Sequence, residues 1–337
     1  MMGTRLEGVF EAIAPPQGTD LDKPIYAVMP VSGYDSYFIG KDREGHACLL
    51  VVTADSSGHL QSPIRLENLD VQFELRCHLR RKGDVERVGT FTVIRCRSLD
   101  DETVRYFLSV CDTILGIVGD KPKQRELASA VHRLAAIFQK LQRPPSRPIN
   151  GLFGELYLIW RSANPSRSVQ AWRVDEMARF DFAAGNVRLD VKAASGRVRS
   201  HTFSYEQCNP PPGTVAVVAS LFVERSPGGM SLRSMIGEIE TGISAFPDLV
   251  IKLREVVAST LGSSLSEGLG IVFDTKLADS SLSFYSLADV PAIRGTVPPG
   301  VSDVHFRSDV SGSLALTRGS LIAHDPLFAE LLPDGRA

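Results

Sequence analysis

The sequence predicts a mixed α/β (α+β) fold, in which a mixed sheet flanked by helices follows a β-rich N-terminal domain. Three observations point that way. From Ile25 to about Cys96, short apolar runs alternate with turn signals. From Asp100 to Leu141 the apolar spacing lengthens to that of helices. Beyond a proline-rich break, one helical pattern is followed by several strand patterns. An apolar period of two residues marks a half-buried strand and a period of 3.6 marks a helix, so the changes of period order the elements along the chain.

In the N-terminal part, Tyr37-Phe38-Ile39 precedes the turn-like Asp42-Arg43-Glu44-Gly45-His46, and Cys48 to Val52 follows as a second strand of a mostly antiparallel sheet. A long hairpin is expected from Val71–Leu79 and Val88–Cys96 around Lys82-Gly83-Asp84. Arg76, Arg80, Arg81, Lys82 and Arg87 gather near its tip, which reads either as a solvated end or as a contact for nucleic acid. Asp100-Asp101-Glu102 opens a helix through Phe107, Val110, Cys111, Ile114 and Leu115. A second helix runs from Lys123 to Leu141 with Leu127, Val131, Leu134, Ala135 and Phe138 on one face. The prolines of Arg143-Pro-Pro-Ser-Arg-Pro148 cannot continue a helix, which places a domain boundary between residues 143 and 144.

In the second domain, residues 144–337, Asn150 is the expected N-cap of a helix from Gly151 to Arg161 carrying Leu152, Phe153, Leu156, Ile159 and Trp160. Strands are expected at His201–Tyr205 and at Val215–Val223, the latter apolar throughout as in a sheet covered on both faces. Helices follow at about Ser231–Ile243 and Asp248–Leu261, with strands near Leu269–Asp274, Leu282–Leu287 and Val301–Ser308.

The chemistry concentrates between Arg179 and Lys192. Alternation from Val187 to Ala193 turns Arg188, Asp190 and Lys192 to one face and Val187, Leu189 and Val191 to the other. Gly185-Asn186 is a two-residue hairpin signal, and a turn there pairs Ala184 with Val187 and sets Asp181 opposite Asp190. Facing carboxylates repel, so a proton or a cation must lie between them, and a divalent metal is the natural occupant. A third carboxylate comes from upstream. At about 100° per residue, Glu155 falls within the apolar sector of its helix. Buried there, it calls for a cation, an Arg partner or a functional proton.

Composition narrows the classes. The chain has 337 residues, 43% hydrophobic and 23% charged, with a formal net charge of -2, so any attraction to nucleic acid must be local. Arg173, Arg179, Arg188, Lys192, Arg197 and Arg199 lie in the stretch that holds the acids, and that stretch is basic once Asp181 and Asp190 are set aside. Five widely spaced cysteines without a C-x-x-C pair indicate neither a disulfide framework nor a zinc site. No signal core or long apolar run argues for export or membrane insertion, and a cytoplasmic location is expected. Phosphate-loop, zincin and serine-hydrolase motifs are absent.

The order helix acid, then Asp, then Asp-x-Lys resembles the PD-(D/E)XK nuclease superfamily, here as Glu155, Asp181 and Asp190-Val191-Lys192. The phrasing Gly151-Leu-Phe-Gly-Glu155-Leu, Trp172, Asp181-Phe182, Leu189 to Lys192 and Phe203-Ser-Tyr-Glu-Gln207 is similar to a family of bacterial PD-(D/E)XK proteins found near restriction and phage-defence genes. Phe180 stands where a proline often precedes the first Asp, and Asp190 stands where Glu is commoner. The resemblance implies a restriction-endonuclease-like fold and a Mg²⁺-dependent DNA endonuclease, with Mn²⁺ as a substitute ion.

On that resemblance, Asp181 and Asp190 would bind metal directly, with the Val191 carbonyl a further candidate. Glu155 would hold a second metal or a metal-bound water. Lys192 would orient or deprotonate the attacking water, and Gln207 would steady the centre. Arg188, Arg197, Arg199 and His201 are candidates for phosphate contacts, and the N-terminal domain for substrate or partner contacts. DNA is the implied partner, with other defence-system subunits and a homodimer as further expectations. The rival reading is an inactive nuclease-fold subunit that binds DNA or acts as a scaffold.

Overall fold

The computed structural model describes residues 5–17, 23–53, 61–81, 86–175 and 177–334. The chain divides into two compact units, Met1–Pro144 with Gly262–Ser266, and Pro145–Leu261 with Glu267–Ala337. The fold is mixed α+β.

The first unit holds α1 (Arg5–Glu11), β1 (Ile25–Pro30), β2 (Tyr37–Lys41), β3 (Ala47–Val51), β4 (Ile64–Arg65), β5 (Leu69–Arg80), β6 (Arg87–Cys96), α2 (Asp101–Val118) and α3 (Gln124–Lys140). Its sheet runs β1-β2-β3-β6-β5-β4. The neighbours in that order are antiparallel, as expected, but β1 also pairs in parallel with β5, from Ile25↔His78 to Ala27↔Arg80. Five strands thus close on themselves around Tyr26, Val28, Phe38, Cys48, Leu50, Cys77, Leu79, Phe91 and Val93. The closing pair joins strands far apart in sequence, and no local pattern announces it. A bulge between Gln72 and Leu75 bends β5, with Glu74 at φ 52°. Lys82-Gly83-Asp84, the expected hairpin tip, lies outside the described residues.

The chain continues through α4 (Ile149–Arg161), α5 (Pro165–Ala171), β7 (Phe182–Ala184), β8 (Val187–Ala194), β9 (Ser200–Ser204), α6 (Tyr205–Cys208), β10 (Val215–Phe222), β11 (Arg225–Ser231), α7 (Leu232–Gly242) and α8 (Pro247–Leu261). Then come α9 (Leu265–Gly270), β12 (Val272–Phe273), α10 (Thr275–Ser281), β13 (Ser283–Ser286), β14 (His305–Asp309), α11 (Arg318–His324) and α12 (Phe328–Leu331). A mixed sheet, β13-β10-β8-β7, forms the core of the second unit. β8 and β10 run parallel, while β7 and β13 are antiparallel to their neighbours. β10 is the apolar run read from the sequence, and Ala216 to Leu221 are buried along it.

Helix α4 lies against β8 because Gly154 lets it approach. A Cβ at that position would sit 3.0 Å from Val191 Cγ1 and 3.4 Å from Ala193 Cβ. Gly154→Val is expected to lift α4 from the sheet and lower stability by about 1–3 kcal/mol, the usual range for overpacking, as measured by urea denaturation.

Some boundaries differ from the sequence reading. Pro148, extended at φ -60° and ψ 137°, precedes the first helical residue, so Asn150 lies inside α4 and does not cap it. The strand expected from Leu269 to Asp274 shrinks to Val272–Phe273, because α9 continues to Gly270. That expected at Val301–Ser308 shortens to His305–Asp309. Helices α5 and α10 were not anticipated. Each is seven residues long, too short to establish an apolar period, although Asn164 before Pro165, and Asp274, are ordinary N-cap signals. All five cysteines are buried free thiols. Among the described residues, no helix is long and apolar enough to cross a membrane.

Candidate active site

Gly185, at φ 51°, and Asn186 turn the chain between β7 and β8, pairing Ala184 with Val187 and Phe182 with Leu189. Asp181 stands one residue before β7, and the next step of the same register faces Asp190. Asp181 accepts a hydrogen bond from the Val191 backbone N–H through Oδ2 at 2.7 Å. Asp190 accepts one through Oδ1 from Gln207 Nε2 at 2.9 Å, and its Oδ2 lies 2.9 Å from Lys192 Nζ. Glu155, 4% exposed, reaches the same place from α4. The charges of Glu155 and Asp181, and of Asp181 and Asp190, act on one another.

Gln207 owes its aim to a helix start. Ser204 and Gln207 form a capping box: the Gln207 N–H donates to Ser204 Oγ and the Ser204 N–H to Gln207 Oε1. With Oε1 so engaged, Nε2 donates to both Asp190 Oδ1 and the Arg179 carbonyl, the latter at 2.7 Å.

Two arginines and a tryptophan complete the cluster. Arg147 Nη1 and Arg173 Nη2 each donate to Glu155 Oε1 at 3.1 Å, and Trp172 Nε1 donates to Oε2 at 2.6 Å. Arg173 Nη2 also lies 2.5 Å from Asp181 Oδ1. A bridge between Trp172 and Phe182, with the Arg173 N–H donating to the Asp181 carbonyl at 2.9 Å, fixes this segment beside β7.

Burial dominates the electrostatics. It holds Glu155 well above the usual carboxylate range, reinforced by the charge of Asp181 and opposed by Arg147. Asp181 is also raised by burial, against the Val191 N–H and Lys192. Asp190 is pushed up to about 7 by burial, with Lys192 opposing and Asp181 adding to the rise. For Lys192 burial pulls downward, but Asp190 and Asp181 together with Cys208 outweigh it, and the amine stays above its ordinary value. Lys192 is therefore an ammonium at neutral pH, its Nζ 5.3 Å from the Phe203 ring centroid.

A family model described as "Putative PD-(D/E)XK family member, (DUF4420)" matches residues 9–311. The chain belongs to this family. No curated protein and no solved structure matches it.

PD-(D/E)XK membership implies a divalent metal, and the residues fit one ion. Asp181 and Asp190 are hard-oxygen donors at facing register positions, and Asp190 Oδ2 is buried with the Lys192 ammonium 2.9 Å away and no aligned hydrogen-bond donor. Among the described residues, the group of three whose possible ligand atoms all lie within 4.8 Å of one another is Asp42, Glu44 and His46 in the first unit. There Asp42 already accepts the Glu44 and His46 backbone N–H groups and lies 3.0 Å from His46 Nδ1, an arrangement that closes its own turn.

The four expected phosphate contacts separate. Arg197 is exposed, 3.1 Å from Glu224, and Arg188 folds back onto the Gly185 and Val187 carbonyls at 2.8 Å. Arg199 is built into the sheet. It donates to Ser220, Ser281 and Ser283 and lies over the Phe222 and Tyr285 rings. His201 is buried 2.8 Å from Ser220 Oγ, and burial, aided by Lys192 and Arg199, pushes it down to about 4, so it is neutral at pH 7. Arg199→Ala should cost about 2–4 kcal/mol of stability by orphaning buried groups. Arg197→Ala should leave stability within about 0.5 kcal/mol. If Arg197 meets a phosphate, its removal should reduce the salt slope of DNA binding by about one, read by fluorescence anisotropy at several salt concentrations.

Proposed function

We propose that this PD-(D/E)XK protein is a Mg²⁺-dependent DNA endonuclease, able to use Mn²⁺, that acts in a restriction or phage-defence system. One observation carries the reading. Asp181 and Asp190 meet in a buried place with the Lys192 ammonium 2.9 Å from Asp190, a combination with little structural benefit and a clear chemical use. Asp181 and Asp190 would hold the ion, which when bound draws charge from phosphate oxygens and acidifies water. Gln207 fixes Asp190 through Oδ1, while Oδ2 faces the Lys192 ammonium. Lys192 offsets the negative charge that develops on the phosphate and orients the attacking water. Exposed Arg197 contributes backbone attraction. One centre per chain cuts one strand, so double-strand cleavage would take two chains.

The test is cleavage of DNA with Mg²⁺, Mn²⁺ or EDTA by the wild type and Asp190→Ala. Metal-dependent cutting that the variant loses while still binding DNA supports catalysis. A wild type that binds DNA and cuts no substrate with either ion favours the scaffold reading.

A further inference from the structure

We infer, resting on the nuclease reading, that the centre takes a single divalent ion. Arg173, lodged between Glu155 and Asp181, supplies as fixed charge what a second ion would supply, and Glu155 is a positioning residue. Two-metal sites place their ions about 3.5–4 Å apart between carboxylates, and Glu155 is the acid here that would serve a second ion. Asp181 and Asp190 each take one contact per oxygen, whereas Glu155 Oε1 takes two guanidinium groups and its Oε2 the Trp172 indole.

A single nitrogen, Arg173 Nη2, contacts both Glu155 Oε1 and Asp181 Oδ1, the bridging position of a cation between two acids. That nitrogen is not there by chance of rotamer. The Arg173 backbone is tied to the Asp181 carbonyl, and its Nη1 donates to the Ala178 carbonyl at 3.2 Å. Its side chain is only 14% exposed, and the Glu155 side chain 6%. A guanidinium cannot deprotonate in a protein, so no pH change vacates the place.

The charge count agrees. Glu155, Asp181 and Asp190 face Arg147, Arg173 and Lys192, three acids against three cations. One dication has Asp181 and Asp190 facing it, whereas a second beside the two guanidinium groups on Glu155 meets repulsion with no further acid to offset it. Arg147 stands behind Arg173 on the same Glu155 oxygen, so Glu155 orients both arginines and touches neither ion nor substrate.

The experiment counts bound Mn²⁺ by electron paramagnetic resonance and calorimetry on the full chain at pH 8. The wild type should bind one ion. Arg173→Ala removes the one nitrogen shared by Glu155 and Asp181 while Arg147 and Trp172 stay on Glu155, and it should bind a second, weaker ion; adding Glu155→Gln to that variant should return the count to one. Circular dichroism checks that each variant is folded, and the wild-type count alone decides if Arg173→Ala is not. Two ions in the wild type, or still one in folded Arg173→Ala, overturns the inference and leaves the nuclease reading standing. No Mn²⁺ bound by the wild type at millimolar concentration overturns both.

Discussion

Millimolar Mg²⁺ or Mn²⁺ should raise the melting temperature of this protein at pH 8 and do so far less at pH 5. Asp190 is pushed up to about 7 in the folded protein, against an ordinary value of 3.8. Between those values the folded state holds a proton that the unfolded state has released, so stability falls as pH rises through the window. At about 1.4 kcal/mol per unit, the full penalty above pH 7 is on the order of 4 kcal/mol. His201, pushed down to about 4 from 6.5, works in the opposite sense, since the unfolded state holds the extra proton there and stability rises with pH. The two offset each other over their shared range, and the uncompensated loss comes near neutrality.

An ion must displace the Asp190 proton to bind, which above pH 7 costs little and at pH 5 a great deal. At a hundred times the dissociation constant, binding contributes about 2.7 kcal/mol. For a unit of this size that is roughly 5–10 °C. Scanning fluorimetry at both pH values reads the difference. Equal shifts at pH 5 and pH 8, or none, would remove the acids from the proposed metal centre.

Lys192→Ala is expected to lower DNA cleavage by about 10²–10⁴-fold, the usual worth of a group placed on the reacting water or the developing charge. The same variant should keep its metal-induced thermal shift, because Lys192 opposes a cation at Asp190 and does not ligate one. Asp190→Asn should lose both cleavage and the shift. Cleavage of a defined duplex under single-turnover conditions distinguishes the pair, and a Lys192→Ala protein that cuts like the wild type would refute the role given to the ammonium.

Much of this arrangement was legible in the residues. The alternation from Val187 and the turn at Gly185-Asn186 specify β8, its partner β7 and the approach of Asp181 to Asp190. The position of Glu155 on its helix foretells burial. What holds that buried acid was open among a cation, an arginine and a proton, since each satisfies the same local pattern. Packing chose arginine. Arg147 comes from the proline-rich segment read as a boundary, and Arg173 from a loop held by the Trp172–Phe182 bridge. Neither contact has a period to betray it. Arg199 shows the converse, since a cation in a basic stretch looks like a phosphate ligand until the serines and aromatic rings around it are seen.

The ring formed by β1, β2, β3, β6 and β5 bears on how the first unit meets other molecules. A protein ligand commonly docks by donating an extended segment to unpaired main-chain groups, and among the described residues β1 takes up that edge of β5 from His78 to Arg80 while β4 takes it up at Asp70 and Val71. Along those paired stretches recognition goes through side chains and connecting loops, whose chemistry can diverge between related proteins without disturbing the strands beneath.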